Sequence, residues 1–198
     1  MKELLGLISV LLYLIGCVPY IIDTIRKKTK PHIFTWLIWS IVTTLAFLGQ
    51  YAKGGGAGSW STGVAGLMAL IITILSLKNG TKDINLSDKL FFIGALLAII
   101  PWYVTKDPTL SIFIVIVLDA CALLPTVRKT YKDPKSETFT TYFFNFIRQP
   151  LSIAALRTYN IATLLYPIYL FIANFVMMVI IRRLRHIKEK KNVSKNRW

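Results

Sequence analysis

Long apolar blocks alternate along this chain with short breaks rich in lysine, arginine or glycine. Within the blocks, hydrophobic positions run together; they follow neither the one-sided spacing of a half-exposed helix nor the alternation of a strand. Blocks of about 20 residues match what a hydrocarbon layer of ~30 Å asks of a helix rising 1.5 Å per residue. Six are clear: Leu4–Ile22, Ile33–Tyr51, Ser59–Leu77, Thr109–Val127, Thr138–Leu156 and Ile161–Ile181. A seventh, Leu90–Val104, is shorter. It reaches spanning length only with Lys89 snorkelling to one surface and Thr105 placed at the other. The expected fold class is an all-α membrane protein with seven transmembrane helices.

Composition narrows the classes. With 55% hydrophobic residues and a mean hydropathy of +0.56 over 198 residues, the chain is neither disordered nor an ordinary soluble domain. Cys17 and Cys121 both fall inside spans, where they read as packing residues rather than a disulfide. The first block lacks a small-residue cleavage site after its apolar stretch and is expected to be a retained helix.

Charge decides the short block. With seven spans, the Lys and Arg of Arg26–Lys30, Lys78–Lys89, Arg128–Lys135 and the tail from Arg182 lie on one side, and only Lys2, Lys53, Lys106 and Arg157 on the other. Without Leu90–Val104 as a span, this asymmetry largely vanishes. The chain is therefore expected with its N-terminus outside and C-terminus cytoplasmic, and its short loops and lack of a targeting segment suit a bacterial cytoplasmic membrane. The net charge of +15 is explained by orientation and by contact of the tail with anionic membrane lipids, so no nucleic-acid partner is expected.

The order of elements repeats: helix, basic loop, helix, short loop, helix. At an offset of 106 residues Pro19 falls on Pro125, Thr24 on Thr130, Thr35 on Thr141, Trp36 on Tyr142 and Trp60 on Tyr166. Three spans leave the chain on the wrong side for a parallel second copy, and one further span corrects this. The expected organisation is a first three-helix repeat over 1–80, a linker helix over 81–107, a second repeat over 108–184 and a basic tail over 185–198. The two repeats form parallel three-helix bundles about an axis along the membrane normal.

The stretch Gly16-Cys-Val-Pro-Tyr-Ile-Ile-Asp-Thr-Ile-Arg-Lys-Lys-Thr29, a proline and an aromatic near the end of a first helix before a basic loop, resembles the signature of the PQ-loop and SWEET/SemiSWEET superfamily. Pro125-Thr-Val-Arg-Lys-Thr130 is similar to a second copy. The resemblance implies alternating access of two bundles around a central site for sugars or other small metabolites. It also implies an Asn on the third helix and an aromatic on the second helix of each repeat. Asn174 fills one Asn role, opposite Met68 by offset; Trp36 or Trp39 faces Tyr142 as the aromatics. Prolines in the second helices depart from the family pattern. Seven-helix nicotinamide-riboside-type transporters share the three-plus-one-plus-three plan, and the Trp36-x-x-Trp39 pair is similar to theirs.

Ionisable residues at membrane depth are costly and are functional candidates. Asp119 and Arg148 lie near the middle of their spans at one depth. They read either as an ion pair fixing the second bundle or as walls of a central cavity. Asn145 stands one turn from Arg148 on the same face, Gln149 adds a polar group, and Asn174 is near that level. The candidate substrate-binding set is Trp39, Asp119, Tyr142, Asn145, Arg148 and Asn174. Pro19 and Pro125 are candidate hinges, each removing a backbone hydrogen bond. Trp60 and Trp102 read as interfacial anchors; Trp36 reads as an anchor and the deeper Trp39 as a stacking surface. Gly54–Gly56 reads as a tight turn. His32 and His186 lie in basic segments, no metal-ligand spacing or activated nucleophile is recognisable, and neither an enzyme nor a cofactor is expected. The expected function is movement of a small polar solute, facilitated or proton-coupled, by a chain that is compatible with homo-oligomers. The alternatives are a non-transporting receptor or adaptor, and a vitamin or nucleoside transporter on the same plan.

Overall fold

A computed structural model of the chain describes residues 1–80, 85–135 and 137–195. Its elements are helical: α1 (Lys2–Ile25), α2 (Ile33–Ala52), a 3-10 turn (Gly56–Ser59), α3 (Trp60–Asn79), α4 (Leu86–Leu97), α5 (Ile99–Thr105), α6 (Thr109–Lys132), α7 (Phe139–Ala154) and α8 (Ile161–Lys195). Local chemistry sets several ends. The His32 imidazole accepts from the Thr35 amide at the start of α2, and the Asn160 side chain accepts from the Thr163 amide in the first turn of α8.

The helices close into a ring. α3 packs on both α1 and α2, α2 on α6, α6 on α8, α8 on α7, and α7 back on α1. α4 lies outside, against α2 and α6, with α5 against α6. Close approach depends on small residues. A Cβ on Gly16 would stand 2.7 Å from the Phe144 Cβ, and one on Gly6 2.6 Å from the Ala57 carbonyl oxygen. The Thr141 hydroxyl donates to the Gly16 carbonyl across the same α1–α7 seam.

Polarity is inverted relative to a water-soluble protein. Leu4, Leu7, Leu11, Ile15, Val18, Ile22 and Ile25 form an exposed apolar stripe down α1, while Ser9, Tyr13, Tyr20 and Thr24 on the same helix are buried. α3 repeats the arrangement, with Leu67, Leu70, Ile74 and Leu77 outside and Ser61, Thr62, Thr73 and Ser76 inside. An apolar exterior over a polar interior is what a lipid solvent selects. Five helical stretches are long and apolar enough to cross a membrane: Lys2–Ile25, Ile33–Ala52, Gly56–Asn79, Thr109–Lys132 and Ile161–Lys188. The chain is an integral membrane protein by this reading.

The remaining two expected spans differ from their sequence reading. The linker breaks at Ala98 into α4 and α5. α7 has 16 residues, about 24 Å of helix; its buried Arg148, Gln149 and Ser152 take it out of the apolar class. At the other extreme, α8 continues as helix through the expected tail to Lys195, while 196–198 and 81–84 lie outside the described residues. The added length is braced. Arg185 donates to the Pro134 and Glu137 carbonyls, and Lys188 pairs with Asp133 at 3.2 Å. The Lys135 amide and Lys188 together hold the Asp133 carboxyl below its ordinary range.

The offset of 106 residues also meets a limit. Trp60 is exposed at the start of α3, whereas Tyr166 is fully buried in α8. The two short loops have different lengths and α7 is shorter than α2, 16 residues against 20, so the third helices fall out of register.

Candidate functional site

Inside the ring lies a cavity of about 250 Å³. α1 contributes Tyr13, Cys17 and Tyr20; α2 contributes Thr35, Trp36, Trp39 and Thr43; α3 contributes only Ala65 and Ala69. Asp119, Leu123 and Thr126 of α6, Thr141, Tyr142, Asn145 and Arg148 of α7, and Tyr166, Leu170, Ala173, Asn174 and Met177 of α8 complete it. The cavity reaches the loops on the basic side, where Lys30, His32 and Glu137 line it. All six residues expected to bind solute (Trp39, Asp119, Tyr142, Asn145, Arg148 and Asn174) stand on this one wall.

Of the two readings of Asp119 and Arg148, the ion pair does not form and both side chains line the cavity. Asp119, 6% exposed, accepts from the Tyr166 hydroxyl at 3.0 Å and the Tyr169 hydroxyl at 2.7 Å. Tyr166 also meets the Thr43 hydroxyl at 3.1 Å, joining α6, α8 and α2. Arg148, 1% exposed, donates through Nε to Asn145 Oδ1 and through Nη1 to Ser61 Oγ, both at 2.9 Å, and its guanidinium sits 4.8 Å above the Tyr13 ring. Among the described residues neither group takes part in an ion pair. The physical reason is ring order: α8 packs between α6 and α7 and presents tyrosines to Asp119.

The other candidates are held locally. Tyr142 donates to Glu137 Oε2 at 3.1 Å, and Asn145 Nδ2 donates to the Thr141 carbonyl. Asn174 donates to the Leu170 carbonyl of its own helix. Trp36 and Trp39 meet edge to face at 5.2 Å, and the Trp36 indole donates to the Tyr20 hydroxyl. Trp36 is thus part of the cavity wall, while Trp60 is exposed at a helix end. Pro19 lies within α1, half-buried. Pro125 lies within α6, with its side chain outside the described set. Pro167, inside α8 and buried, was not anticipated. Cys17 and Cys121 are free thiols. Among the described residues no group of three or more metal-ligating side chains gathers.

On the side away from Lys30 and Glu137 the ring is sealed. The 3-10 turn packs against the end of α7: the Ser152 hydroxyl donates to the Gly58 carbonyl and the Arg157 amide to the Gly55 carbonyl. Gly54 and Gly56 have φ of +81° and +57°, which fits the tight turn expected there. Lys2 donates to the Leu156 carbonyl, and Lys53 pairs with Asp107 at 2.9 Å. The bonds from Thr109 and then Lys53 hold the Asp107 carboxyl below the usual carboxylate range. Beneath this clasp, Gln50 Oε1, Thr62 Oγ1 and both polar atoms of Gln149 are buried without partners.

Sequence reasoning passed over Tyr13, Ser61, Tyr166 and Tyr169. The offset of 106 residues pairs Tyr13 with Asp119 and Tyr20 with Thr126, all four on the cavity wall, and was a usable signal for the tyrosines of α1. Nothing local marked Ser61, whose value comes from meeting Arg148 across the ring. In comparisons with known proteins, no family model, no curated protein and no solved structure matches the chain.

Proposed function

We propose that the chain carries a small polar solute across a membrane by alternating access. The observation that carries this reading is a cavity inside a helix ring, largely aromatic and apolar in its lining but with Asp119, Asn145 and Arg148 set into it, reaching one surface and sealed at the other. Such a cavity is one of the two end states that a rocking carrier requires.

The ring order supports a two-unit mechanism. α3 bridges α1 and α2 as α8 bridges α6 and α7, and α1–α7 answers α2–α6 across the ring. These contacts support a reading as two parallel three-helix units with α4 and α5 as linker, the plan of the SWEET and PQ-loop proteins that the sequence resembles. With the basic loops on the cytoplasmic side, the N-terminus lies outside and the cavity faces the cytoplasm. The seam from Gln50 through Thr62 to Gln149 is then the closed half of the pathway. Polar groups buried there without partners become satisfied when water enters.

The test is solute uptake and counterflow in proteoliposomes carrying the full chain, across sugars, amino acids, nucleosides and organic acids, with and without a pH gradient. Saturable flux of one class is the expected result. Absence of flux for every class, from protein with intact helical content, rejects the carrier and favours a receptor or structural role.

A further inference from the structure

Arg148 is almost wholly buried, lines the cavity and has no carboxylate beside it. A lone buried charge is among the costliest features a fold can keep, and it is normally answered by a counter-charge. Its Nε and Nη1 are occupied by Asn145 and Ser61, which fix the plane of the guanidinium. Nη2 makes no hydrogen bond to the described residues. The acidic group at the same depth does not answer it: α8 packs between α6 and α7, and the Asp119 oxygens meet the Tyr166 and Tyr169 hydroxyls instead. A second donor on the same wall is also idle: Trp39 Nε1 is buried without a partner. The lining therefore holds a fixed positive charge with one guanidinium donor free.

We propose that the solute is a small organic anion whose carboxylate binds Arg148 at Nη2, with Trp39 facing the rest of the molecule. This rests on the carrier reading above and names its substrate class. A planar guanidinium steadied by two neighbours suits a carboxylate better than a hydroxyl-rich neutral ring, since the charge-assisted bond replaces the missing counter-ion. The cavity of about 250 Å³ is of a size that suits a compact monocarboxylate. Both carboxylates on the lining already accept from tyrosine hydroxyls, Asp119 from Tyr166 and Tyr169 and Glu137 from Tyr142, whereas Arg148 has no carboxylate, so a net anion fits better than a zwitterion.

The experiment measures binding rather than flux, so that it separates from the carrier test. The purified full chain is heated in detergent with lactate, benzoate or nicotinate, each paired with its neutral amide (lactamide, benzamide, nicotinamide) and with alanine as the zwitterion. At least one carboxylate should raise the melting temperature and bind about tenfold or more tightly than its amide. Arg148→Gln should bring that ratio close to one. If Arg148→Gln does not fold, Arg148→Lys serves, with the ratio falling severalfold because the planar fork is lost. Equal shifts by acid and amide, a shift with alanine alone, or no shift with any carboxylate overturns the anion proposal. Flux of a neutral solute in liposomes would leave the carrier standing while rejecting the anion.

Discussion

Gly58→Ala should open the sealed face. An added Cβ would lie 2.6 Å from the Ser152 carbonyl oxygen, 2.6 Å from Leu156 Cδ2 and 2.7 Å from the Leu156 amide nitrogen. Two of these are backbone atoms of the last turn of α7 and its exit, so no rotamer change relieves them. The 3-10 turn and α7 must separate by about 0.8 Å to reach ordinary contact. Overpacking of this kind costs about 1–3 kcal/mol, and it applies only while the turn is seated on α7. At 1.4 kcal/mol per factor of ten, the equilibrium shifts about fivefold to a hundredfold towards an unseated arrangement. Thr62 reports on this. It is fully buried, lies off the cavity wall, and its hydroxyl has no partner, so Thr62→Cys removes no bond. With Cys17 and Cys121 replaced by Ser, maleimide labelling of Cys at position 62 should be slow in the parent and at least about fivefold faster with Gly58→Ala. Gly63→Ala is the control, since its Cβ would meet only the Phe47 ring, at 3.0 Å. Equal labelling rates in parent and Gly58→Ala, with helical content retained, would refute the reasoning.

Three further outcomes follow from the same contacts. Tyr169→Phe removes a 2.7 Å bond to a carboxylate and should lower stability by about 1.5–3 kcal/mol, read by denaturant or thermal unfolding; a neutral result would mean that Asp119 is served by Tyr166 alone. Asn160→Ala loses the cap on Thr163 and the bond to the Lys53 carbonyl and should cost about 1 kcal/mol, read the same way. Asp107 titrates below the ordinary carboxylate range when folded, so its contribution is complete above that range and is lost as pH falls through the folded value. The melting-temperature gap between parent and Asp107→Asn should hold from pH 8 to about pH 5 and close on further acidification; a gap that widens in acid would contradict the assignment.

The helices were legible because hydrophobic block length is a one-dimensional quantity, and a ring of this kind reads it off directly in α1, α2, α3, α6 and α8. The candidate wall was legible in part for a similar reason. Asp119, Asn145 and Arg148 stand out against their apolar neighbours, and depth follows from counting residues along a span. What chain order could not supply was lateral order. α6 and α7 are consecutive spans, and their charges invite pairing, yet α8 packs between them and satisfies Asp119 with tyrosines. Ser61 and Gly58 illustrate the same gap: one hydroxyl and one missing side chain matter only through what stands opposite, Arg148 and the end of α7.

α8 is one unbroken helix of 35 residues, about 52 Å long. Its first turn is tied through Asn160 to the Lys53 carbonyl on the sealed face. Its first quarter carries the tyrosines on Asp119, the cavity residue Asn174 follows, and Arg185 and Lys188 grip Asp133, Pro134 and Glu137 at the opposite mouth. A rod anchored at both mouths behaves as a lever with its fulcrum near the carboxylate. Tilting it by about 5° displaces its first turn by about 1 Å and its Arg185–Lys188 end by about 2.5 Å in opposite senses, loosening one mouth as it tightens the other without any signal passing through side-chain rearrangement.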